Sequence, residues 1–195
     1  MKKHLINPKQ IVEFMIVAGK LKWTKRSGWL REKMPEPETV AEHTFRVAIL
    51  SRILARYLNL DANKLTSMAI FHDLAEGVLG DPVTQRGKKT VDVHDFVREK
   101  SFIKSVFNNL NSPELFSYWE ENILENGHCK TKYSDALYQI GKIATVWQAF
   151  EYEIRGVPIS KTKEFWENAE FHVKNPFLRE ILMSLKKARK KYKLI

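Results

Sequence analysis

The chain has 195 residues, of which 44% are hydrophobic, and a formal net charge of +10 at pH 7. This length fits a single domain with a full hydrophobic core. The longest apolar runs are broken by charges, which excludes a membrane-spanning helix, and Asn7-Pro8 interrupts the N-terminus before a signal-peptide core can form. The single cysteine, Cys129, excludes an internal disulfide and predicts a cytoplasmic location.

Much of the positive charge lies in the last ten residues, which include Lys186, Lys187, Arg189, Lys190, Lys191 and Lys193. We interpret this tail as a solvated helix end. Contact with nucleic acid is the alternative, and it is not favoured. The remaining positive charge can attract an anionic substrate, but charge alone does not separate a nucleotide from a nucleic acid.

The first half of the chain predicts helices. Asn7 followed by Pro8 is typical of a helix start. A loop is expected over residues 22–38, and Thr39 with Glu42 forms a capping box that begins the second helix. Asp61 is expected to cap a third helix that continues through residue 76.

The second half continues the helical pattern after a loop expected over residues 77–90. Helices are expected over residues 92–109, 113–126 and 131–155, with Gly127 and Gly156 at C-terminal caps. A last helix is expected from Asn175-Pro176 through the basic tail, at about residues 175–195. Because no useful period-two strand pattern occurs, the sequence predicts one all-α domain over residues 1–195.

A candidate metal site comes from His43, His72 and Asp73. His43 shares a helix face with apolar residues, so its imidazole is expected to point inward. His72 and Asp73 end an apolar helical run, where a carboxylate is costly unless something binds it. Two imidazoles and one carboxylate suit a divalent metal and leave coordination positions for water and substrate, so the set indicates a metal-dependent hydrolase.

Other polar residues surround this set. Glu76, expected on the same helical face as His72, can orient water or carry protons, and Asp81 can do the same from the following loop. Arg26 can bind phosphate and Trp29 can stack on a base. Each residue also has a structural alternative: Glu76 as a solvated residue, Asp81 as a turn former, Arg26 in an ion pair and Trp29 in the core.

These residues occur in motifs that resemble the HD-domain phosphohydrolase superfamily, and within it the branch of 5′-deoxynucleotidases. The matching segments are Arg26-Ser-Gly-Trp29, Pro37-Glu-Thr-Val-Ala-Glu-His43, Phe71-His-Asp-Leu-Ala-Glu76, Gly80-Asp81 and Gln148-Ala-Phe-Glu-Tyr-Glu153. The resemblance covers roughly residues 8–155.

The resemblance implies an all-helical homodimer that removes phosphate from deoxynucleoside 5′-monophosphates with a divalent metal, for which manganese, cobalt, zinc, iron and magnesium are candidates. By position it makes His43, His72 and Asp73 the metal ligands. It makes Glu76 the catalytic acid or base, and Asp81 a residue that activates water or holds the substrate. The remaining substrate-binding residues that it implies are Arg26, Trp29, Pro82, Val83 and Thr84.

One position departs from the family pattern. The family has a second metal-binding aspartate where this chain has Gly141. A glycine inside a helix suggests close packing or room for a ligand. Three explanations are open: three protein ligands hold the metal, Asp135 reaches the site through a shifted helix, or the domain binds ligands without catalysis.

The leading hypothesis is a metal-dependent phosphohydrolase acting on nucleoside monophosphates, with Arg26 and a lysine such as Lys88 or Lys89 balancing the phosphate charge. The alternative is a catalytically degenerate module that binds a nucleotide or nucleic acid. Hydrolysis of a nucleoside triphosphate or guanosine alarmone ranks lower. Alarmone hydrolases resemble a pattern with an extra acid at the position of Gly77.

Overall fold

A computed structural model describes residues 7–82, 93–122 and 129–192 of the chain. The helices in these ranges are α1 (Pro8–Lys20), α2 (Ser27–Arg31), α3 (Val40–Leu54), α4 (Ala62–Phe71), α5 (Glu76–Leu79), α6 (Val93–Asn109), α7 (Pro113–Asn122), α8 (Lys132–Ile154), α9 (Ile159–His172) and α10 (Pro176–Lys191). A 3₁₀ turn, Ala55–Leu58, follows α3. The described ranges contain no strand, which confirms the all-α prediction, and none of their helices is long and apolar enough to cross a bilayer.

The helix starts lie where the capping residues predict them. Asn7 accepts a hydrogen bond from the backbone N–H of Lys9, and Pro8 is the first helical residue. The Thr39 hydroxyl accepts from the N–H of Glu42, whose carboxylate accepts from the N–H of Thr39 in return. These bonds satisfy backbone donors that a helix start otherwise leaves unpaired.

Three segments differ from the sequence prediction. The expected loop over residues 22–38 contains the helical turn α2, and α9 forms where no helix was expected. The third predicted helix ends at Phe71, and Glu76 begins the separate α5. Gly156 does end α8 with a φ of 88°, a left-handed conformation that suits glycine, whereas Gly127 lies outside the described residues.

Buried side chains form two clusters that meet at α3. One cluster joins α3, α4, α8, α9 and α10 around residues such as Val47 and Ile140. The other joins the end of α1, the α4–α5 turn, α6 and α7 around residues such as Val40 and Phe107. His43 lies between Val40 and Val47 on the inward face of α3, so the fold positions this imidazole between the two clusters.

The basic helix α10 is joined to the core by a buried ion pair. Arg189 donates two hydrogen bonds to Glu153 of α8, at 2.5 and 2.7 Å, and the Trp166 indole donates a third at 3.1 Å. Lys186 pairs with Glu170 at 2.6 Å. Part of the basic tail is therefore neutralised within the protein, whereas Lys187 and its exposed neighbours remain in solvent.

Candidate active site

The fold brings the three predicted metal ligands together. His43 projects from α3, and His72 and Asp73 follow directly after α4. One nitrogen or oxygen atom from each side chain lies within 4.8 Å of the others, and no other such group occurs in the ranges that the structure describes. Nδ1 of His43 is buried without a hydrogen-bond partner. A buried imidazole with an unpaired nitrogen, grouped with a second imidazole and a carboxylate, fits a divalent metal ion.

A backbone contact fixes the orientation of His72. Its Nδ1 lies 2.7 Å from the carbonyl oxygen of Ala69, which can only accept, so Nδ1 carries the proton. The other ring nitrogen, Nε2, points at the Asp73 carboxylate 3.0 Å away. Metal-binding histidines commonly have one nitrogen anchored in this way, which leaves the second for the ion.

Electrostatics also suit a cation at this point. Burial, and then the nearby Arg26 cation, hold the pKa of His43 well below its usual value, so the imidazole is neutral and can act as a ligand. Burial opposes ionisation of both His72 and Asp73, but their attraction raises the pKa of His72 and lowers that of Asp73. A divalent ion held by both side chains would take the place of a proton between Nε2 of His72 and the Asp73 carboxylate.

Glu76 lies one turn beyond Asp73, but not on the same helix as expected. The chain turns after Phe71, so Glu76 reaches the site as the first residue of α5. Burial and the carboxylates of Asp73 and Asp81 raise the pKa of Glu76 well above its ordinary value. Oε2 of Glu76 is buried without a partner. A protonated carboxyl group held in this way can donate a proton.

Asp81 both faces the site and connects two loops. Its carboxylate accepts a 2.6 Å hydrogen bond from the backbone N–H of Ser27, and the Ser27 hydroxyl donates to the Pro82 carbonyl at 2.9 Å. Asp81 also forms a hydrogen bond with Glu76. The loop after α5 is thereby held against the start of α2.

Arg26 is a buried cation among four acidic residues. Burial disfavours its charge, but the carboxylates of Glu38, Asp73, Asp81 and Glu76 outweigh burial and raise the pKa of Arg26. Nη1 of Arg26 is buried without a hydrogen-bond partner. The guanidinium therefore retains a donor for an anionic ligand.

Trp29 requires a correction. Its side chain is only 1% exposed, its indole N–H donates to Glu38 at 3.0 Å, and its ring packs on Tyr152 and Phe165 at centroid distances of 5.1 and 4.0 Å. Trp29 belongs to the cavity lining, but core aromatic residues cover its ring, so the structure favours the core alternative over stacking on a base. Trp29 supports the segment that carries Arg26.

These residues line one cavity of about 670 Å³. His43, His72, Asp73, Glu76 and Arg26 lie on one side, and side chains of α8 and α9 form the other. Ligand sites of small molecules commonly enclose about 300–1,000 Å³, so this cavity has room for much more than a metal ion and a phosphate.

Comparison with known proteins places this arrangement in a family. A family model described as "HD domain" matches residues 18–184. The chain belongs to the HD-domain family. A 5′-deoxynucleotidase HDDC2 of Dictyostelium discoideum is 28% identical over 192 residues, covering 92% of this chain and 98% of the relative.

Solved structures carry the same HD-domain fold. A conserved hypothetical protein of Pyrococcus furiosus aligns with a TM-score of 0.71 at 29% identity, covering 90% of this chain and 99% of the other. A protein of Magnetospirillum magnetotacticum, described as a predicted metal-dependent phosphohydrolase, aligns with a TM-score of 0.63 over 96% of this chain and 97% of its own. At 19% identity, the second structure supports the fold alone.

Position 141 of this HD domain is open. Gly141 lines the cavity from α8, and a Cβ atom placed there would have nothing within 4 Å. The sequence suggested either close packing or room for a ligand at this glycine. The open space agrees with room for a ligand and disagrees with close packing. Asp135 is exposed, accepts a 2.8 Å hydrogen bond from Gln139 and does not line the cavity, so the structure does not bring it to the candidate site.

Some of the predicted site residues fall outside the described ranges, and the sequence did not identify some residues that line the cavity. Nothing is described for Val83, Thr84, Lys88 and Lys89. The α9 side of the cavity, with Asn168, Phe171 and His172, was not predicted as part of the site. Their i, i+3, i+4 spacing is the signal that could have placed them on one helix face, had α9 been recognised.

Proposed function

We propose that this HD-domain protein is a divalent-metal-dependent phosphohydrolase that removes the 5′-phosphate of deoxynucleoside monophosphates. The observation that carries the proposal is the convergence of His43, His72 and Asp73, with an unpaired buried imidazole nitrogen, at a cavity of nucleotide size. The name of the Dictyostelium relative, a 5′-deoxynucleotidase, supports the substrate class.

His43, His72 and Asp73 are the residues that would hold the metal. Manganese, cobalt, zinc, iron and magnesium are all candidates for this set of two nitrogens and a carboxylate. A bound divalent ion supplies a water of lowered pKa and offsets negative charge on the phosphoryl group. Gly141 lines the same cavity and, without a side chain, leaves room for a water molecule or a substrate oxygen.

The surrounding side chains divide the remaining tasks. Arg26 binds phosphate oxygens through its unpaired Nη1. Glu76 is kept protonated by burial and its acidic neighbours and donates its proton to the leaving 5′ oxygen. Asp81 holds the Glu76 carboxyl in place through their hydrogen bond, while its contact with Ser27 fixes the loop. Pro82, and Val83 and Thr84 beyond it, are proposed to continue the substrate-binding surface.

The proposal is tested by phosphate release from a panel of nucleoside monophosphates. Protein is stripped with a chelator and assayed after addition of each candidate metal. We expect release that is restored by metal and abolished in His72→Ala, with bound metal reduced in the same variant. Lys187→Ala is the control, because that side chain is exposed on α10 and does not line the cavity. Full activity of a folded His72→Ala variant would contradict the mechanism.

A second candidate function is ligand binding without catalysis, and Gly141 is the observation that favours it. The position lacks a side chain that could ligate the metal. This alternative expects a folded protein that binds nucleotides or nucleic acid and releases no phosphate with any metal. Binding to nucleic acid would weaken steeply with salt concentration.

We further propose a homodimer, and a cytoplasmic location based on the single cysteine. Helix α1 supports the dimer, because four of its large apolar side chains, Ile11, Val12, Met15 and Ile16, are 43–61% exposed. Light scattering should give twice the mass of 22.9 kDa. A Val12→Glu, Met15→Glu variant should give the single mass. Cell fractionation tests the location.

A further inference from the structure

We call the part of the cavity lined by His43, His72, Asp73, Glu76 and Arg26 the metal side. The cavity has a second side whose chemistry differs from that of the metal side. It is formed by Tyr138 and Lys142 of α8 and by Asn168, Phe171 and His172 of α9. Besides the ionisable side chains of Lys142 and His172, this side offers the Phe171 ring and the Asn168 amide. The metal and phosphate contacts proposed above use only the first side, so the second side is available to contact the rest of the substrate.

Phe171 is the most exposed aromatic side chain of the described cavity lining. It is 68% exposed, whereas Trp29 is 1% exposed and Phe165 is packed against Trp29. The ring of Phe171 lies in the last turn of α9, with the edge of His172 at a centroid distance of 4.9 Å. The Lys174 ammonium lies over one face of this ring, 5.0 Å from its centroid, so a planar ligand entering the cavity would stack on the other face.

The neighbours of Phe171 fix this side of the cavity. Nδ1 of His172 lies 3.1 Å from the Tyr138 hydroxyl, and the two rings meet edge to face at 5.4 Å. This contact joins the end of α9 to α8. His172 and Tyr138 are positioning residues in this arrangement, because they hold the end of α9 at a fixed distance from the metal side.

Asn168 adds a polar group next to the ring. It precedes Phe171 by three residues, so both side chains lie on one face of α9, and both line the cavity. A carboxamide both donates and accepts hydrogen bonds and can pair with the edge of a heteroaromatic ring. A ring that stacks and an amide beside it together match a nucleobase.

We propose that Phe171 and Asn168 form the base-binding subsite of this enzyme, with Phe171 stacking on the nucleobase and Asn168 binding its edge. The inference rests on the proposed function, because it assigns the part of the substrate that the metal side does not bind. It also supplies the base contact that Trp29 cannot make.

Deoxynucleosides test the subsite without turnover, because they contain the base and lack the phosphate. Equilibrium dialysis gives their Kd with wild type, Phe171→Ala, Phe171→Trp and Asn168→Ala. Stacking on an aromatic side chain strengthens binding by roughly tenfold or more per base, so we expect Phe171→Ala to weaken binding about tenfold. Phe171→Trp should keep it. Phe45→Ala is the matched control, since Phe45 is also 68% exposed but lies on α3 and does not line the cavity.

Steady-state kinetics then separate the base from the phosphate. Phe171→Ala should raise KM for deoxynucleotides and leave kcat/KM for 2-deoxyribose 5-phosphate unchanged, because that substrate has no base. Equal deoxynucleoside affinity in wild type and Phe171→Ala, or an equal loss in Phe45→Ala, would overturn the subsite. Phe171-dependent binding without phosphate release by any metal-loaded protein would instead overturn the proposed function and leave the subsite standing.

Discussion

Replacing Gly141 by alanine tests whether this position has space for a side chain. Replacing it by aspartate tests whether a carboxylate there strengthens metal binding. Gly141 lies inside α8 with no positive φ, and a Cβ there meets no atom within 4 Å. Glycine in a helix interior costs about 0.5–1 kcal/mol relative to alanine. Gly141→Ala should therefore stabilise the fold by about that amount, which corresponds to a rise in Tm of about 1–4 °C for a domain of this size.

Gly141→Asp should behave differently with and without metal. Aspartate favours a helix less than alanine by up to about 0.7 kcal/mol, and its carboxylate joins Asp73 in the same cavity. In a chelator its Tm should therefore be close to that of wild type or below it. If the new carboxylate tightens metal binding tenfold, saturating metal adds about 1.4 kcal/mol of stability beyond the gain seen in wild type.

Thermal unfolding followed by circular dichroism, in chelator and in manganese, measures both effects. Gly19→Ala is the control, because Gly19 also lies in a helix with open space around its Cβ. It should stabilise the protein equally in both buffers. A Gly141→Ala variant that is less stable than wild type would contradict the presence of open space for a Cβ at this position. If manganese raises the Tm of Gly141→Asp by no more than it raises the Tm of wild type, the inference that residue 141 lies beside the metal is wrong.

Three further predictions concern buried groups near the site and in the core. Burial raises the pKa of Glu38 despite nearby Arg26. The folded state therefore keeps the Glu38 carboxyl protonated at pH values just above its ordinary pKa of about 4.3, where the unfolded state has lost the proton. The free energy of unfolding should fall as the pH rises from the unfolded-state pKa to the folded-state pKa. Glu38→Gln should reduce this fall in urea titrations. Arg189→Met leaves the buried Glu153 carboxylate without its cation and should cost about 3 kcal/mol. Gly28→Ala puts a Cβ 3.1 Å from a packed Phe165 ring atom and should cost about 1 kcal/mol.

Each of these variants has a control. Glu36→Gln alters a carboxylate with a side chain 82% exposed and should leave the pH dependence unchanged. Lys187→Met removes an exposed charge from α10 and should have little effect on unfolding in urea. Gly19→Ala serves again for the glycine substitution. Parallel pH curves for wild type and Glu38→Gln, a neutral Arg189→Met variant or a stabilising Gly28→Ala variant would contradict the corresponding argument.

The sequence predicts best what is decided locally. The capping box of Thr39 and Glu42 forms between residues three apart, so its pattern sufficed to place the start of α3. The inward direction of His43 followed from the spacing of its apolar neighbours. The end of α4 was harder to predict, because the apolar pattern continues past Phe71. There the His72 side chain bonds to the Ala69 carbonyl and the backbone turns instead of continuing the helix.

Contacts between distant segments could not be predicted from the pattern. Helix α9 begins at Ile159 without a side-chain cap, and much of its surface is polar, so it lacks the signals that identified the other helices. Trp29 was equally suited to a binding surface or a core. Its burial depends on Phe165, which lies on α9, and on Tyr152 of α8. The missed helix therefore explains both the stacking role wrongly given to Trp29 and the absence of Phe171 from the predicted site.

The charge balance of the metal side indicates the order in which ligands bind. Asp73 and Asp81 face the same cavity as Glu76, and burial together with their charges keeps Glu76 protonated. Arg26 alone does not make this side cationic, because the same carboxylates surround it. A phosphate entering without metal would lie near two carboxylates, at a cost in a partly desolvated site. A divalent ion held by His43, His72 and Asp73 would reverse that balance, so we expect Arg26 to bind phosphate only after the ion.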